Sequence, residues 1–277
     1  MLPFPYDSET FKRQIQELVS LAIKAIRGKR FNFDARHKPS GYKTADLLTD
    51  ADLLAQEIIA DGLQQHFPDA GIVDEEDLLI EGSNGVVFTI DPLDGTKAFV
   101  RQESGNVSVM IGVVYNGRVV AVFIGDVWTH ELYYYRPGSS NTHRLIDFDF
   151  TTPLQPYDPK HQRRMVLFRE DPYLHQALDY PRIRSRFTKF HIDSGSIGIN
   201  FTKLWKGEAC AVILKMRYYT PWDMVPVIGL SKQLGYCFYR HHQGSFMPFD
   251  LQPSLQQYPL QELVLVCHPC LLDQFNH

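Results

Sequence analysis

The feature that most constrains the fold is a pair of apolar segments joined by Asn116 and Gly117. Residues 107–115 and Arg118–Asp126 are rich in Val and Ile, with few polar interruptions. Asn-Gly is the pair that best supplies the positive φ angles of a tight two-residue turn. The segments are therefore predicted to form an antiparallel hairpin. At 277 residues, the chain can bury a core without disulfide or metal cross-links.

Periodic apolar residues predict helices on both sides of this hairpin. Ser8 can cap a helix in which apolar residues recur every three or four positions until about residue 28. Thr49 and Asp52 have the spacing of a capping box, and the helix that follows runs to Pro68. Two further helices are predicted, at residues 197–205 and 223–234.

Short β-branched segments between turn residues predict the remaining strands. They lie at residues 86–90, 131–135, 165–168, 209–214 and 263–267. Basic and apolar residues alternate over 182–191, which fits an edge strand or a rim over a pocket. Because helices and mostly antiparallel strands alternate in blocks, the predicted fold class is α+β, with layered helices and sheets. Segment 138–158 marks a boundary between halves 1–150 and 151–277, which together form one compact unit.

Charge and cysteine content exclude several classes of protein. Lys and Arg number 28 against 32 Asp and Glu, a net charge of -4, so we expect no nucleic acid polymer or anionic membrane as partner. No signal peptide or spanning run is recognisable, and four cysteines are too few for a disulfide framework here. We expect a cytoplasmic protein with a small-molecule partner. Cys267 and Cys270 have zinc-like spacing but no second pair, which disfavours zinc.

Two carboxylates leave a predicted buried strand in the run IDPLDGTKAF at residues 90–99. Asp91 and Asp94 lose hydration and repel one another there, so they either have raised pKa values or hold a cation. Oxygen ligands of this kind suit Mg²⁺. The backbone N–H groups of Gly95 and Thr96 could open a helix and donate to a phosphate. The alternative is that both aspartates only end a strand and cap a helix.

Other acidic positions have ordinary explanations when each is taken alone. Glu75 and Glu76 lie in a run of four acidic residues, which is typical of a solvated loop. Asp223 follows Trp222 and opens a predicted helix, where an aspartate is often a cap. The order of Glu75, Glu76 and Asp223 along the chain relative to residues 91–96 indicates more about function than any of them does alone.

The run DPLDGT at residues 91–96, preceded by the acidic pair and followed by Trp222 and Asp223, resembles the inositol monophosphatase superfamily. The resemblance covers nearly the whole chain. It implies a metal-dependent, lithium-sensitive phosphomonoesterase with a layered αβαβα sandwich. A homodimer is also possible, because many members of the superfamily form one.

The resemblance also implies a set of metal ligands. Glu75, Asp91 and the carbonyl of Leu93 resemble the ligands of one Mg²⁺, and Asp91, Asp94 and Asp223 resemble those of another. Asp91 would then bridge the two ions. Two or three Mg²⁺ ions are expected in all.

Catalytic residues are implied in the same way. Thr96 and Asp52 resemble the pair that orients or activates the attacking water, with Glu76 beside them. Asp52 fits equally well as the second member of the capping box with Thr49. The two interpretations of Asp52 therefore stay open at this point.

Several positions depart from the pattern of the superfamily. Gln56 stands where Glu is usual, and Asp74 stands where Gly or Ser is commoner. The sequence MVPV at residues 224–227 replaces small alanines, and this would shift the packing of the helix that carries Asp223. Met216 occupies the position of an acid that binds sugar hydroxyls in the inositol enzymes. An inositol substrate is therefore disfavoured.

Substrate recognition is predicted from the branch that the chain resembles. DPLDGTK followed by an aromatic residue is closer to the bisphosphate nucleotidases, which remove the 3'-phosphate from adenosine 3',5'-bisphosphate. Substrate contacts are predicted for Gly95, Thr96, Gly195, Ser196, Lys215 and Arg217. The last two could contact a second phosphate as charged donors. They could equally be exposed charges at the end of a strand.

The predicted reaction is hydrolysis of a phosphate ester by metal-activated water. A phosphoaspartyl route is disfavoured, because Asp91 and Asp94 are three residues apart where that class of enzyme has two. One alternative is an inositol-1-monophosphatase or another sugar or histidinol phosphatase. A second alternative is a non-catalytic homologue that binds metal or phosphate.

Overall fold

Two β-sheets, separated and flanked by helices, make up the computed structural model, which describes residues 3–38, 47–155, 157–158, 165–171 and 178–276. The helices are α1 (Ser8–Lys29), α2 (Asp50–His66), α3 (Thr96–Val100), α4 (Tyr180–Arg186), α5 (Ile197–Trp205), α6 (Pro221–Gln233) and α7 (Leu272–Asn276). Strands β1 (Ala35–His37) and β2 (Leu47–Thr49) pair as a separate antiparallel ribbon.

The first sheet is built around the hairpin predicted from Asn116 and Gly117. Its strands are β3 (Gly71–Asp74), β4 (Leu79–Ile80), β5 (Val86–Asp94), β6 (Ser108–Tyr115), β7 (Arg118–Asp126), β8 (Glu131–Tyr135), β9 (His143–Ile146) and β10 (Phe150–Pro153). Their order across the sheet is β10-β9-β8-β7-β6-β5-β3-β4, and β3 with β5 is its parallel pair. Tyr115 pairs with Arg118. Asn116 (φ 50°) and Gly117 (φ 74°) both have positive φ, which confirms the hairpin.

The second sheet takes its strands from later in the chain. They are β11 (Met165–Phe168), β12 (Lys189–Ile192), β13 (Ala211–Tyr219), β14 (Cys237–His242), β15 (Ser245–Pro248) and β16 (Tyr258–Cys267). Their order is β12-β11-β13-β16-β14-β15. Strand β11 runs parallel to both β12 and β13, whereas the other pairs are antiparallel.

Three apolar cores hold the layers together. Helices α1 and α2 cover one face of the first sheet, through residues such as Phe11, Ile59 and Phe88. Helices α5 and α6 fill the space between the two sheets, with Trp205 and Ile228 fully buried. Helices α4 and α7 contribute to the core on the outer face of the second sheet. The order of layers is therefore α-β-α-β-α, which confirms the predicted sandwich.

Some predicted boundaries were wrong. Helix α6 begins at Pro221, two residues earlier than expected, because a proline at the first helical turn needs no N–H partner. Asp223 is thus its third residue. Helix α1 is capped by Asp7 rather than Ser8: the Thr10 N–H donates to Asp7 Oδ1 at 2.9 Å. Of segment 182–191, only its end is an edge strand; the first part lies in α4, which Asp179 caps.

The bulky residues after Asp223 are accommodated by a glycine on the facing strand. A Cβ added to Gly112 in β6 would lie 2.7 Å from Val225 Cγ1 and 3.1 Å from Pro226 Cδ. Because Gly112 has no side chain, there is space between β6 and α6 for Val225 and Pro226. Small residues on α6 are therefore not needed for close packing here. The large side chains of α6 pack directly against the first sheet.

The two sheets divide the sequence near the predicted boundary. Strands at residues 71–153 form the first sheet and strands at residues 165–267 form the second. Helix α6, from the second half, packs on β5, β6 and β7 of the first. The division into halves 1–150 and 151–277 stays a prediction. No helix in the described part of the chain combines the length and apolar character needed to cross a lipid bilayer.

Candidate active site

Three aspartates meet where the first sheet faces α6. Asp91 and Asp94 lie at the end of β5, where its pairing with β6 becomes irregular between these two residues. Asp223 reaches them from the first turn of α6. One carboxylate oxygen of each lies within 4.8 Å of those of the other two. The structure therefore brings together residues that are far apart in sequence, at distances that a shared cation requires.

Burial makes this cluster electrostatically costly when it holds no cation. Asp91 is 2% exposed. Burial raises its pKa well above the usual range, and the nearby charges of Glu75, Asp94 and Asp223 raise it further. Burial also raises the pKa of Asp223, with added contributions from Asp94 and Glu75. Such a group of oxygen donors lowers its free energy by taking up protons or a hard cation.

Asp94 is anchored by the start of α5 as well as by β6. Its Oδ1 accepts the Ile197 N–H at 3.0 Å, and its Oδ2 accepts the Gly198 N–H at 2.7 Å. The hydroxyls of Ser108, at 2.8 Å, and of Ser196 also donate to Oδ2. Because Oδ1 accepts one bond, it keeps a lone pair for an ion.

Ser196 is completely buried, and its hydroxyl is also the cap of α5, accepting the Ile199 N–H at 2.9 Å. Because the Ser196 side chain is not exposed, its position does not support the predicted contact with substrate. Gly195, by contrast, lines the clefts described below.

Asp52 completes the predicted capping box with one oxygen, and its other oxygen contacts Thr96, its predicted partner in the reaction. Oδ2 accepts the Thr49 N–H at 2.8 Å and the Thr49 hydroxyl, which completes the capping box of α2. Oδ1 accepts the Thr96 hydroxyl at 3.1 Å. The same hydroxyl lies 3.2 Å from the Leu93 carbonyl. Burial raises the pKa of Asp52 to about 6, although the bonds from Thr49 and Thr96 oppose this shift.

Lys38 forms ion pairs with the two acidic residues, Glu75 and Glu76, that precede β5. No pattern in the sequence marks this lysine. Its Nζ lies 2.8 Å from Glu75 Oε1 and 2.9 Å from Glu76 Oε1. Burial lowers the pKa of Lys38, but the two carboxylates outweigh burial and raise it overall. Burial and the charge of Glu75 raise the pKa of Glu76 to about 8, despite Lys38. Lys38 therefore neutralises part of the charge at this edge of the site.

Two departures from the superfamily pattern are partners in space. Gln56 Nε2 donates to Asp74 Oδ2 at 2.6 Å, and Asp74 Oδ1 accepts the Leu78 N–H at 2.8 Å. A glutamate at position 56 would face the buried carboxylate of Asp74. The amide and the acid therefore compensate for one another.

Most of the predicted site residues line two adjoining clefts, whereas Asp52, Glu76 and Ser196 line neither of them. The smaller, about 170 Å³, is lined by the five candidate ligands together with Gly95 and Thr96. The larger, about 730 Å³, shares Asp94, Asp223 and Gly195 with it. Lys215 and Arg217 lie on the wall of the larger cleft.

Both basic residues of that wall already have partners. Lys215 Nζ donates to the Gln261 carbonyl at 2.7 Å. Arg217 lies 2.8 Å from Glu170. Each would have to exchange this contact, or share it, in order to bind a substrate anion.

Ser108 and Arg169 also belong to the site and were missed. Ser108 is one of the few polar residues within the apolar segment 107–115. Arg169 directly follows the parallel strand β11 and lines both clefts. A charged residue at the carboxyl end of a parallel strand was a usable signal, since ligands often bind at such strand ends.

Comparison with known proteins agrees with this geometry. The model of the inositol monophosphatase family matches residues 7–268. The chain is 38% identical over 91 residues to inositol-1-monophosphatase from Bacillus subtilis, covering 32% of this chain and 34% of that protein. It is 28% identical over 194 residues to histidinol-phosphatase from Chlorobaculum parvum, covering 69% and 71%.

A human protein, 3'(2'),5'-bisphosphate nucleotidase 1, is 35% identical over 108 residues, which cover 29% of this chain and 35% of that protein. The chain thus spans about a third of the Bacillus and human proteins in these matches. The fold resembles that of extragenic suppressor protein suhB from Bartonella henselae, with a TM-score of 0.75, 16% identity, and coverage of 96% and 97%. The chain belongs to the inositol monophosphatase family, a family of phosphatases.

Proposed function

We propose that this protein is a Mg²⁺-dependent phosphomonoesterase that hydrolyses a small phosphate ester. The observation that carries the proposal is the meeting of Asp91, Asp94 and Asp223 within 4.8 Å. Beside them, the Thr96 hydroxyl contacts Asp52 Oδ1. A buried set of oxygen donors next to a hydroxyl–carboxylate pair is the arrangement that metal-assisted hydrolysis requires.

The donor set fits Mg²⁺, which prefers carboxylate and carbonyl oxygens. Glu75, Asp91, Asp94, Asp223 and the carbonyl of Leu93 would hold two or three ions. Bound there, Mg²⁺ would neutralise the charge of the phosphate and lower the pKa of a coordinated water. The raised pKa of Asp91 supports the fit, because the buried carboxylates lack a compensating charge of their own.

The residues beside this donor set would handle the proton of the attacking water. Thr96 Oγ1 can accept that proton while it donates its own to Asp52 Oδ1. A pKa of about 6 places Asp52 closer to neutrality than an ordinary aspartate, which suits a general base. Glu76 would tune this pair by its charge. The N–H groups of Gly95 and Thr96 would donate to the phosphate.

Adenosine 3',5'-bisphosphate is the favoured substrate within this proposal. The larger cleft, about 730 Å³, has room for a nucleotide, and Arg169, Lys215 and Arg217 place cationic groups on its wall. Met216 lines the same wall in place of a hydroxyl-binding acid. An inositol ring would meet a thioether there and lose a hydrogen-bond acceptor.

The second candidate function is a histidinol, inositol or other sugar phosphatase. It is favoured by the match to histidinol-phosphatase, which extends over 69% of the chain. A small partner is expected in either case. Cytoplasmic localisation, lithium sensitivity and a homodimer remain parts of the proposal.

A phosphate-release screen would test these functions. It compares adenosine 3',5'-bisphosphate, inositol monophosphate, histidinol phosphate and sugar phosphates, with Mg²⁺ or with a chelator. We expect release that needs Mg²⁺, is greatest for the bisphosphate, and is lost in Asp91→Asn. Asp61→Asn is the matched control, because Asp61 is exposed on α2. Release that survives the chelator or the Asp91 variant would overturn the mechanism, and absence of release from every substrate would favour a non-catalytic role.

A further inference from the structure

Arg169 has an unusual environment for a guanidinium. Its backbone N–H donates to the Ile213 carbonyl at 3.0 Å, which continues the pairing of β11 with β13. Its Nη2 donates to the Gly195 carbonyl at 2.9 Å. Its Nη1 is buried, yet no hydrogen-bond partner for it exists in the described part of the chain. A charged donor that is buried without an acceptor raises the free energy of the empty protein.

The position of Arg169 points to the ligand rather than to the fold. The residue lines both the small cleft of the candidate metal ligands and the large cleft beside it. Its charge also lowers the pKa of Asp223, which opposes the effect of burial there. Arg169 therefore stands between the place predicted for the reacting phosphate and the space left for the rest of the substrate.

Other arginines of the large cleft are already paired with carboxylates. Arg217 contacts Glu170 at 2.8 Å, and Arg101 contacts Glu103 at 3.7 Å. Arg169 forms no ion pair with any residue that the structure describes. Its Nη2 bond to Gly195 holds the planar group in one orientation, which leaves the buried Nη1 as the donor that still needs an acceptor.

We propose that Arg169 Nη1 binds a second anionic group of the substrate, a phosphate that is retained when the neighbouring phosphate ester is hydrolysed. The inference rests on the proposed phosphatase function and deepens it, because it names the residue that selects a bisphosphorylated substrate over a monophosphorylated one. It also moves the main anion contact from Lys215 and Arg217 to Arg169. A charge-assisted bond from a guanidinium to a phosphate is short and directional, which makes it selective.

The test compares two substrates that share the reacting group. Adenosine 3',5'-bisphosphate and adenosine 3'-monophosphate both carry the 3'-phosphate, and only the first carries a second one. In Arg169→Gln we expect KM for the bisphosphate to rise about 10- to 100-fold, the value of one or two charged hydrogen bonds. KM for the monophosphate and kcat for both should change less than about threefold. Arg169→Lys keeps the charge without the planar fork, and should lie between wild type and Arg169→Gln.

Arg184→Gln is the matched control, because Arg184 is exposed on α4 and does not line the cleft. An equal loss for both substrates would assign Arg169 to the reacting phosphate or to folding, and would overturn the proposal. Unchanged KM values would overturn it as well. If Arg169→Gln does not fold, the Arg169→Lys comparison decides the question alone.

Equilibrium binding separates this inference from the proposed function. If wild type hydrolyses neither nucleotide, the phosphatase proposal fails for these substrates, and calorimetric titration of each nucleotide into wild type and Arg169→Gln still tests Arg169. Tighter binding of the bisphosphate than of the monophosphate, lost in Arg169→Gln, would support the subsite. Equal binding of both nucleotides to wild type would reject it.

Discussion

The two carboxylate oxygens of Asp52 make different contacts in this site. One oxygen caps α2 through Thr49, and the other meets the hydroxyl of Thr96. The contacts use different oxygens, so the capping role of Asp52 and its proposed catalytic role are compatible. A substitution that changes one oxygen and spares the other can distinguish their contributions.

We expect Asp52→Asn to lower kcat about 10²- to 10⁴-fold, the usual contribution of a general base. The amide oxygen can still accept the Thr49 N–H, so unfolding free energy should change by less than about 2 kcal/mol. Phosphate release and denaturant unfolding measure the two effects. Asp50→Asn is the matched control, because it makes the same chemical change two residues earlier in α2. The Asp50 carboxylate pairs with Lys29 at 2.6 Å, away from Thr96, so this variant should retain activity. Full activity in Asp52→Asn would remove Asp52 from the mechanism.

The pair of Gln56 and Asp74 makes a second prediction at this scale. Gln56→Glu places a carboxylate against buried Asp74 and should cost about 1 to 3 kcal/mol of unfolding free energy at neutral pH. Asp74→Asn in the same chain restores an amide–acid pair and should recover about half of the loss or more. Denaturant unfolding of both single variants and the double variant completes the cycle. Strictly additive effects would show that the two residues are not coupled.

At the scale of elements, the start of α5 meets the end of β5 through Asp94. A Cβ added to Gly198 would lie 2.4 Å from Ser108 Oγ and 3.1 Å from Asp94 Oδ2. A side chain at this position therefore displaces the helix or the Ser108 hydroxyl, which donates to Asp94. Gly95 is constrained similarly, because its φ is 99° and a Cβ would lie 2.2 Å from the Asn106 carbonyl. Close contact of backbones is what brings the ends of these elements together.

Gly198→Ala should therefore lower stability by about 1 to 3 kcal/mol through overpacking. It should also reduce kcat about 10²-fold, because a small displacement of Asp94 misaligns the candidate metal site. Thermal melting and phosphate release are the measurements. Gly28→Ala is the control: it lies in α1, where a Cβ meets nothing within 4 Å, and should stabilise by about 0.5 to 1 kcal/mol. Wild-type activity in Gly198→Ala would contradict the tight contact.

At the scale of the whole molecule, the first sheet and α6 pack around buried negative charge. Folding therefore places carboxylates in surroundings that favour their protonated forms. Glu76 has a folded pKa of about 8 and an ordinary value of 4.5. A raised pKa in the folded state adds stability below the unfolded pKa, and that stability is lost as the pH rises through about 8.

Glu76 alone should therefore cost the metal-free protein about 2 kcal/mol of unfolding free energy between about pH 6.5 and pH 9. Glu76→Gln should remove this part of the loss, and the comparison with wild type cancels the contributions of groups that both proteins share. Added Mg²⁺ should restore stability at high pH by binding the folded state. The measurement is denaturant unfolding in chelator across this range. Equal slopes in wild type and Glu76→Gln would contradict the assignment.

Local patterns in the sequence were enough for many elements. Asn116 and Gly117 predicted a turn that forms between adjacent strands, and residues 197–205 predicted α5 with both of its bounds. Thr49 and Asp52 predicted the cap of α2. These features depend on residues a few positions apart, whose interactions the chain makes wherever the segment lies. Of the site, Asp91 and Asp94 were predicted as a cation site from their position after a buried strand, whereas Glu75, Leu93 and Asp223 were recognised as ligands only through an ordered family pattern.

Tertiary structure alone decided what those residues contact. The bonds from Ile197 and Gly198 to Asp94, the two carboxylates held by Lys38, and the unpaired Nη1 of Arg169 join segments that no spacing rule connects. Such contacts depend on how the helices and sheets pack, because packing brings side chains from distant segments within hydrogen-bonding range. Sequence by itself determined the elements and their order. The packing of α5 and α6 between two sheets determined which charged groups of the described residues are neutralised and which have no partner.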